Sequence, residues 1–247
     1  MQTVDVAGAE SEVFARTIDL FDRHLKISTQ DGLRLGGGTA LAMLWKHRRS
    51  TDFDFAMPDK VLRSRLVEGQ EGLKAELKGL KEQGQIRGWR VWGTGLTWEW
   101  ANGSEISISR HKQDHSEPQH AESTTGIALS PVFDILRGKL IGRVLTSFRL
   151  VIRDAYDLMV SYREEPQLFQ KLINDALERT DMLPALVEHI HNTKKKIIVG
   201  RPLIDADDSK LAHDPWGRFA DIVGKMRMLE NHEQTIQDAE ITSPWAR

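Results

Sequence analysis

One segment constrains this chain more than any other: Gly36-Gly37-Gly38-Thr39-Ala40-Leu41, then His47-Arg48-Arg49-Ser50-Thr51-Asp52-Phe53-Asp54-Phe55. Consecutive glycines permit a turn that no Cβ obstructs, and the apolar run behind them predicts a helix. A basic hinge follows, and then acids alternate with aromatics. Successive side chains of a strand point to opposite faces, so Asp52 and Asp54 share one face while Phe53 and Phe55 enter the core. Two neighbouring carboxylates repel each other unless a cation sits between them. A hard divalent ion with oxygen ligands, which also grips phosphates, supplies that cation. The segment reads as half of a metal–nucleotide site.

The remaining composition sets bounds on that reading. With 247 residues, 40% hydrophobic and 28% charged, the chain suits one large or two small globular domains. A formal net charge of −2 excludes a uniformly basic nucleic-acid binder but leaves room for a local basic patch. The absence of cysteine excludes disulfides, zinc–thiolate sites and a cysteine nucleophile, and fits a reducing cytoplasm. Met1-Gln2-Thr3-Val4-Asp5 carries no secretory signal pattern, and no apolar run reaches the roughly 18 residues of a membrane span. The expected setting is cytoplasmic.

Periodicity predicts an α+β chain. A helix is expected over 10–27, a short buried strand at Leu33 and Leu35, and a helix from Thr39, with Thr39 as its cap. The acidic strand at 52–57 stops at Pro58. One or two helices span 60–83, with Gly69, Gly72 and Gly79 as candidate breaks. Residues 88–110 alternate as a β-meander that extends the acidic strand in antiparallel fashion, and 111–125 reads as a polar loop. Helices are predicted at 131–147, 151–163, 166–180, 181–193 and near 214–236, with a linker at 202–214. The expected organisation is a mixed-sheet domain at 1–128 followed by a helical bundle at 129–247.

The helical half holds a second polar group. Lys139 and Arg143 lie four apart on one predicted helix; Asp154 and Asp157 lie three apart on the next. These clusters are expected to meet across a helical hairpin and to face the acidic strand.

Gly37, Gly38, Thr39, Ala40, Leu41, His47, Arg48, Ser50, Asp52 and Asp54 together resemble the first motif of the AbiEii/AbiGii-toxin-like nucleotidyltransferases, members of the DNA polymerase β-like superfamily. Lys139 and Arg153-Asp154-Ala155-Tyr156-Asp157 resemble later motifs of the same family. The resemblance implies transfer of a nucleoside monophosphate from an NTP to an acceptor hydroxyl. It implies Mg²⁺ or Mn²⁺ on Asp52 and Asp54, with Gly37, Gly38, Thr39, Arg48, Ser50, Arg143 and Asp157 around the nucleotide. Lys139 would contact phosphates and Asp154 would act near the reacting hydroxyl. It also implies a toxin–antitoxin setting, a separate antitoxin protein and an RNA acceptor, the 3′ end of tRNA being the leading candidate.

The chain departs from the superfamily at one place. A third metal-binding carboxylate is expected on the strand at 105–109, where Ser107 and Ser109 face the site; Glu105 has the right parity and is a further candidate ligand. Other readings therefore stay open: an acceptor that is a small molecule or a protein, or a degenerate NTP-binding sensor or assembly module. Plainer readings apply elsewhere. Trp89, Trp92, Trp98 and Trp100 fit a sheet core as well as a base-stacking platform; His111, His115 and His120 fit solvated histidines; His47 fits a structural brace. Basic residues at 46–49, at Arg87 and Arg90, and at 194–196 are candidates for an RNA path.

Overall fold

The computed structural model describes residues 2–4, 9–27, 31–92, 94–111, 121–123, 126–147, 149–192 and 202–227. They divide into two compact units, Met1–Ile135 and Leu136–Arg247. The boundary expected at 128/129 falls inside the last strand of the first unit, seven residues before this division.

Among the described residues the first unit holds β1 (Gln2–Val4), β2 (Arg34–Gly36), β3 (Phe53–Pro58), β4 (Ile86–Trp92), β5 (Gly95–Trp100), β6 (Glu105–His111), β7 (Ala121–Ser123) and β8 (Ala128–Leu129). They form one mixed sheet in the order β1-β7-β8-β2-β3-β6-β5-β4. Helix α1 (Ala9–Leu20) continues into a π-helical turn, Phe21–Leu25; α2 (Gly37–Trp45) and α3 (Asp59–Glu82) follow.

The acid–aromatic alternation fixes how β3 sits. Phe53, Phe55 and Met57 are buried, while Asp54 is exposed. Phe14 packs 5.3 Å from Phe53, and Phe21 packs 5.3 Å from Phe55 and 5.7 Å from Trp98. A one-residue register slip would turn both phenylalanines to water, at about 3–6 kcal/mol. The aromatic pair thus holds the acids on the open face.

One expectation about this sheet needs correction. β6 lies beside β3 in parallel, Asp54 opposite Ser107, and the meander's antiparallel pairing is confined to β6 with β5 and β5 with β4. Parallel neighbours need a long crossover, and α3 followed by the β4–β5 hairpin provides it. Of the one or two helices expected over 60–83, the structure has one: α3 is an unbroken helix of 24 residues. A Cβ on Gly69 would collide with the backbone carbonyl of His24, so this glycine serves close packing of α3 on the π-helical turn rather than a break.

The second unit is helical. α4 (Val132–Arg137) begins before the division and runs into a π-helical segment, Gly138–Leu145; α5 (Ile152–Glu164), α6 (Pro166–Arg179) and α7 (Met182–Asn192) follow. α8 (Ser209–His213) occupies the stretch read as a linker, capped by Asp208, whose carboxylate accepts from Leu211 N–H at 2.9 Å. A helix at 215–227, α9, brings Phe219 6.2 Å from Phe169 of α6. The remainder of the helix expected to 236, the lysines at 194–196, His115 and His120 lie outside the described residues. None of the described helices is long and apolar enough to cross a membrane.

Candidate active site

The glycine turn and the acidic strand are paired by the sheet. β2 runs antiparallel to β3 with Gly36 opposite Asp54, which brings the next residue, Gly37, over the Asp54 carboxylate. A Cβ on Gly37 would fall on Asp54 Oδ2, and Gly37 has φ +63°, a conformation other residues adopt at a cost. A Cβ on Gly38 would fall on the Arg48 guanidinium. The pair is therefore glycine for two reasons, one facing an anion and one a cation.

Thr39 is not the helix cap: Gly36 is, with no side-chain cap bond. The Thr39 hydroxyl instead bonds the Asp52 carbonyl and, at 2.8 Å, the Ser50 hydroxyl. Thr39 and Ser50 thus tie the start of α2 to the residues that lead into β3. Arg48 is buried and donates from Nη1 to the Arg49 carbonyl at 3.3 Å. His47 is also buried, its ring edge-on to Trp45 with centroids 5.7 Å apart.

Each acid has a fixed partner on β6. Ser107 donates its hydroxyl to Asp54 Oδ1 at 2.7 Å, and the Glu105 backbone N–H donates to Asp52 Oδ1 at 3.2 Å. Among the described residues no group of three His, Asp or Glu side chains is arranged to hold a metal ion, so Glu105 does not complete a three-acid cluster with Asp52 and Asp54. Its carboxylate lies 3.5 Å from the Thr97 hydroxyl. The donor set is two carboxylates on one strand face. That set fits Mg²⁺, which typically takes one or two carboxylates and draws its other ligands from water and phosphate.

Within the second unit, Lys139 and Arg143 from the π-helical segment meet Asp154 and Asp157 from α5, as the spacing predicted. Lys139 Nζ lies 2.7 Å from Asp154 Oδ1 and 3.0 Å from Asp157 Oδ2; Arg143 Nη1 lies 2.7 Å from Asp154 Oδ2. Asp154 and Asp157 are almost fully buried, and Lys139 is only 7% exposed. Asp154 therefore accepts from two cations at once, and only Arg143 reaches well into solvent.

The hydroxyl of Ser107 as the anchor of Asp54 was not legible from spacing; it needs the parallel register of β3 and β6. Arg34 was missed as well. Register sets it opposite Ala56, on the face of Asp54, and its Nε is buried with no hydrogen-bond partner. The Leu33-Arg34-Leu35 alternation was the available signal.

No curated protein matches the chain. Two solved structures from Helicobacter pylori resemble it at low identity. JHP933 does so at 15% identity and a TM-score of 0.45, over 94% of this chain and all of its own. A proposed nucleotidyltransferase does so at 14% and 0.44, over 89% of this chain and 97% of its own. Residues 20–238 match the family described as nucleotidyl transferase AbiEii toxin, type IV toxin–antitoxin system, which is most of the sequence. The chain belongs to the AbiEii family of nucleotidyltransferase toxins.

Proposed function

We propose that the chain moves a nucleoside monophosphate from an NTP to a hydroxyl of an RNA acceptor, the 3′ end of tRNA first among candidates, with Mg²⁺ or Mn²⁺ held by Asp52 and Asp54. The observation that carries this reading is the Gly37–Asp54 juxtaposition, which leaves a carboxylate open beside a turn with no side chains. A metal bound there supplies charge neutralisation and Lewis acidity at the α-phosphorus. The Gly37-Gly38 turn lets phosphate approach backbone N–H groups, and Arg48 beside Gly38 supplies positive charge to the phosphates. Ser107 keeps Asp54 in one orientation, so no reorganisation is needed during reaction.

In the transfer the acceptor oxygen bonds to the α-phosphorus, the bond to the bridging α–β oxygen breaks, and pyrophosphate leaves with that electron pair. The acceptor hydroxyl gives up its proton in the same step, to the Asp154 carboxylate that the family's motif assigns to it. Lys139, Arg143, Asp154 and Asp157 are assigned to this activity on the family's motif, Asp154 to the reacting hydroxyl and Lys139 to phosphate. The type IV setting of the family supports a separate antitoxin protein as partner and the cytoplasm as the place of action.

The test is label transfer from each of four α-³²P NTPs in Mg²⁺, with total tRNA as acceptor and Asp52→Ala and Lys139→Ala as controls. Label on tRNA from one preferred NTP, lost in both variants, is the expected result. NTP binding that needs Asp52 without label on RNA would move the acceptor to a small molecule or protein, or leave a binding module.

A further inference from the structure

The face of the sheet that bears the acids does not end at β6. Register sets Asp54 beside Ser107, Ser107 beside Thr97, and Thr97 beside Arg90, one residue from each of four adjacent strands. Neighbouring strands lie roughly 4.8 Å apart, so this row spans about 14 Å from the catalytic acid to the sheet edge. Its members are polar and open to solvent in whole or part, while Leu96, Trp98, Ile106 and Ile108 between them are buried on the other face.

The row ends in a cation and an aromatic ring. Arg90 is exposed and has no ion-pair partner among the described residues. Trp92 shares its face, opposite Gly95, and is 40% exposed. A Cβ on Gly95 would come within 2.8 Å of the Trp92 indole, so the glycine is what lets the ring lie against β5. An exposed indole beside a guanidinium that lacks a carboxylate costs apolar surface and gains nothing for the fold. Both groups have a use for single-stranded nucleic acid, whose bases stack on aromatic rings and whose phosphates take arginine.

We propose that β4 is the docking edge for a single-stranded RNA acceptor: a base stacks on Trp92, a phosphate pairs with Arg90, and the strand crosses Thr97 and Ser107 towards Asp54. This rests on the RNA-acceptor reading above and specifies where that acceptor lies. A folded duplex cannot use the same edge, because its bases are not free to stack.

Trp89 separates this edge from the other side of the same strand. It faces away, opposite the buried Trp98, and lines a groove with Lys78, Lys81 and Glu82. The experiment is fluorescence anisotropy of a labelled single-stranded RNA oligonucleotide titrated with the full chain and with Arg90→Ala, Trp92→Ala, Trp92→Phe and Trp89→Phe, with NTP binding measured in parallel. Arg90→Ala and Trp92→Ala should each weaken RNA binding by about tenfold, Trp92→Phe should restore most of it, and Trp89→Phe and NTP affinity should be unchanged. The proposal is overturned if wild type does not bind the oligonucleotide, if Trp92→Ala binds like wild type, or if Trp89→Phe carries the loss. If RNA binds through Trp92 but no label is ever transferred to RNA, the edge stands and the transferase reading fails.

Discussion

Ser107 stands directly beside Asp54 on the parallel neighbouring strand and donates a 2.7 Å hydrogen bond to Oδ1. One of the two site-facing positions at which a third acid was expected thus holds a hydroxyl that orients the acid already present. Replacing it tests the metal reading through stability alone. Ser107→Asp sets like charges directly opposite each other, which is destabilising. Its Tm should fall by several degrees in EDTA and recover on adding Mg²⁺. Equal Tm with and without Mg²⁺ would speak against a cation between these strands.

Gly37 and Gly79 should respond in opposite directions to alanine. At Gly37 the positive φ and the Asp54 carboxylate both oppose a Cβ, so Gly37→Ala should lose NTP binding and about 1–3 kcal/mol of stability. Gly79 lies within α3 with open space around it, and Gly79→Ala should gain up to about 1 kcal/mol. Urea melts of both variants settle the comparison.

Lys139 neutralises two buried aspartates. Lys139→Met should therefore cost about 3–5 kcal/mol, since both buried aspartates lose the ammonium that lies 2.7 Å from Asp154 and 3.0 Å from Asp157. A double-mutant cycle with Asp157→Asn should show strong coupling between the two positions. Additive losses would place the charge of Asp157 elsewhere. Loss of activity in Lys139 variants must accordingly be read beside their unfolding curves.

Tyr156 gives a pH signature. Burial, followed by its 2.6 Å hydrogen bond to Asp207, pushes its phenol from 10.0 up to about 12. A raised folded value contributes stability that is fully present below pH 10 and is lost as pH rises through about 12. The loss should be on the order of 1–2 kcal/mol and absent in Tyr156→Phe. The chain has only two tyrosines, so ultraviolet titration can follow the late one directly.

Much of this arrangement was legible in the residues themselves. The Phe53–Phe55 alternation gave the face of the acids, and the spacings of Lys139, Arg143, Asp154 and Asp157 gave the ion cluster. What escaped depends on contacts between distant segments. The parallel sense of β6 follows from the length of the α3 crossover and from sheet pairing, which no local pattern encodes. Gly69 reads as a helix breaker until the His24 carbonyl is found beside it. Thr39 reads as a cap because its hydroxyl precedes an apolar run, yet it bonds to the segment entering β3. The same limit applied to Trp92 and Trp89: their odd spacing puts them on opposite faces, and only register shows that Trp92 shares the face of Asp54.

The most direct test of the central claim is the single-turnover rate of label transfer from the preferred α-³²P NTP in Mg²⁺, in wild type and Asp54→Asn. The substitution keeps the shape and the Ser107 contact but removes the charge. A folded Asp54→Asn protein that transfers at least about a hundredfold more slowly is the predicted result. Transfer at the wild-type rate would show that the carboxylate beside Gly37 is not where the chemistry occurs.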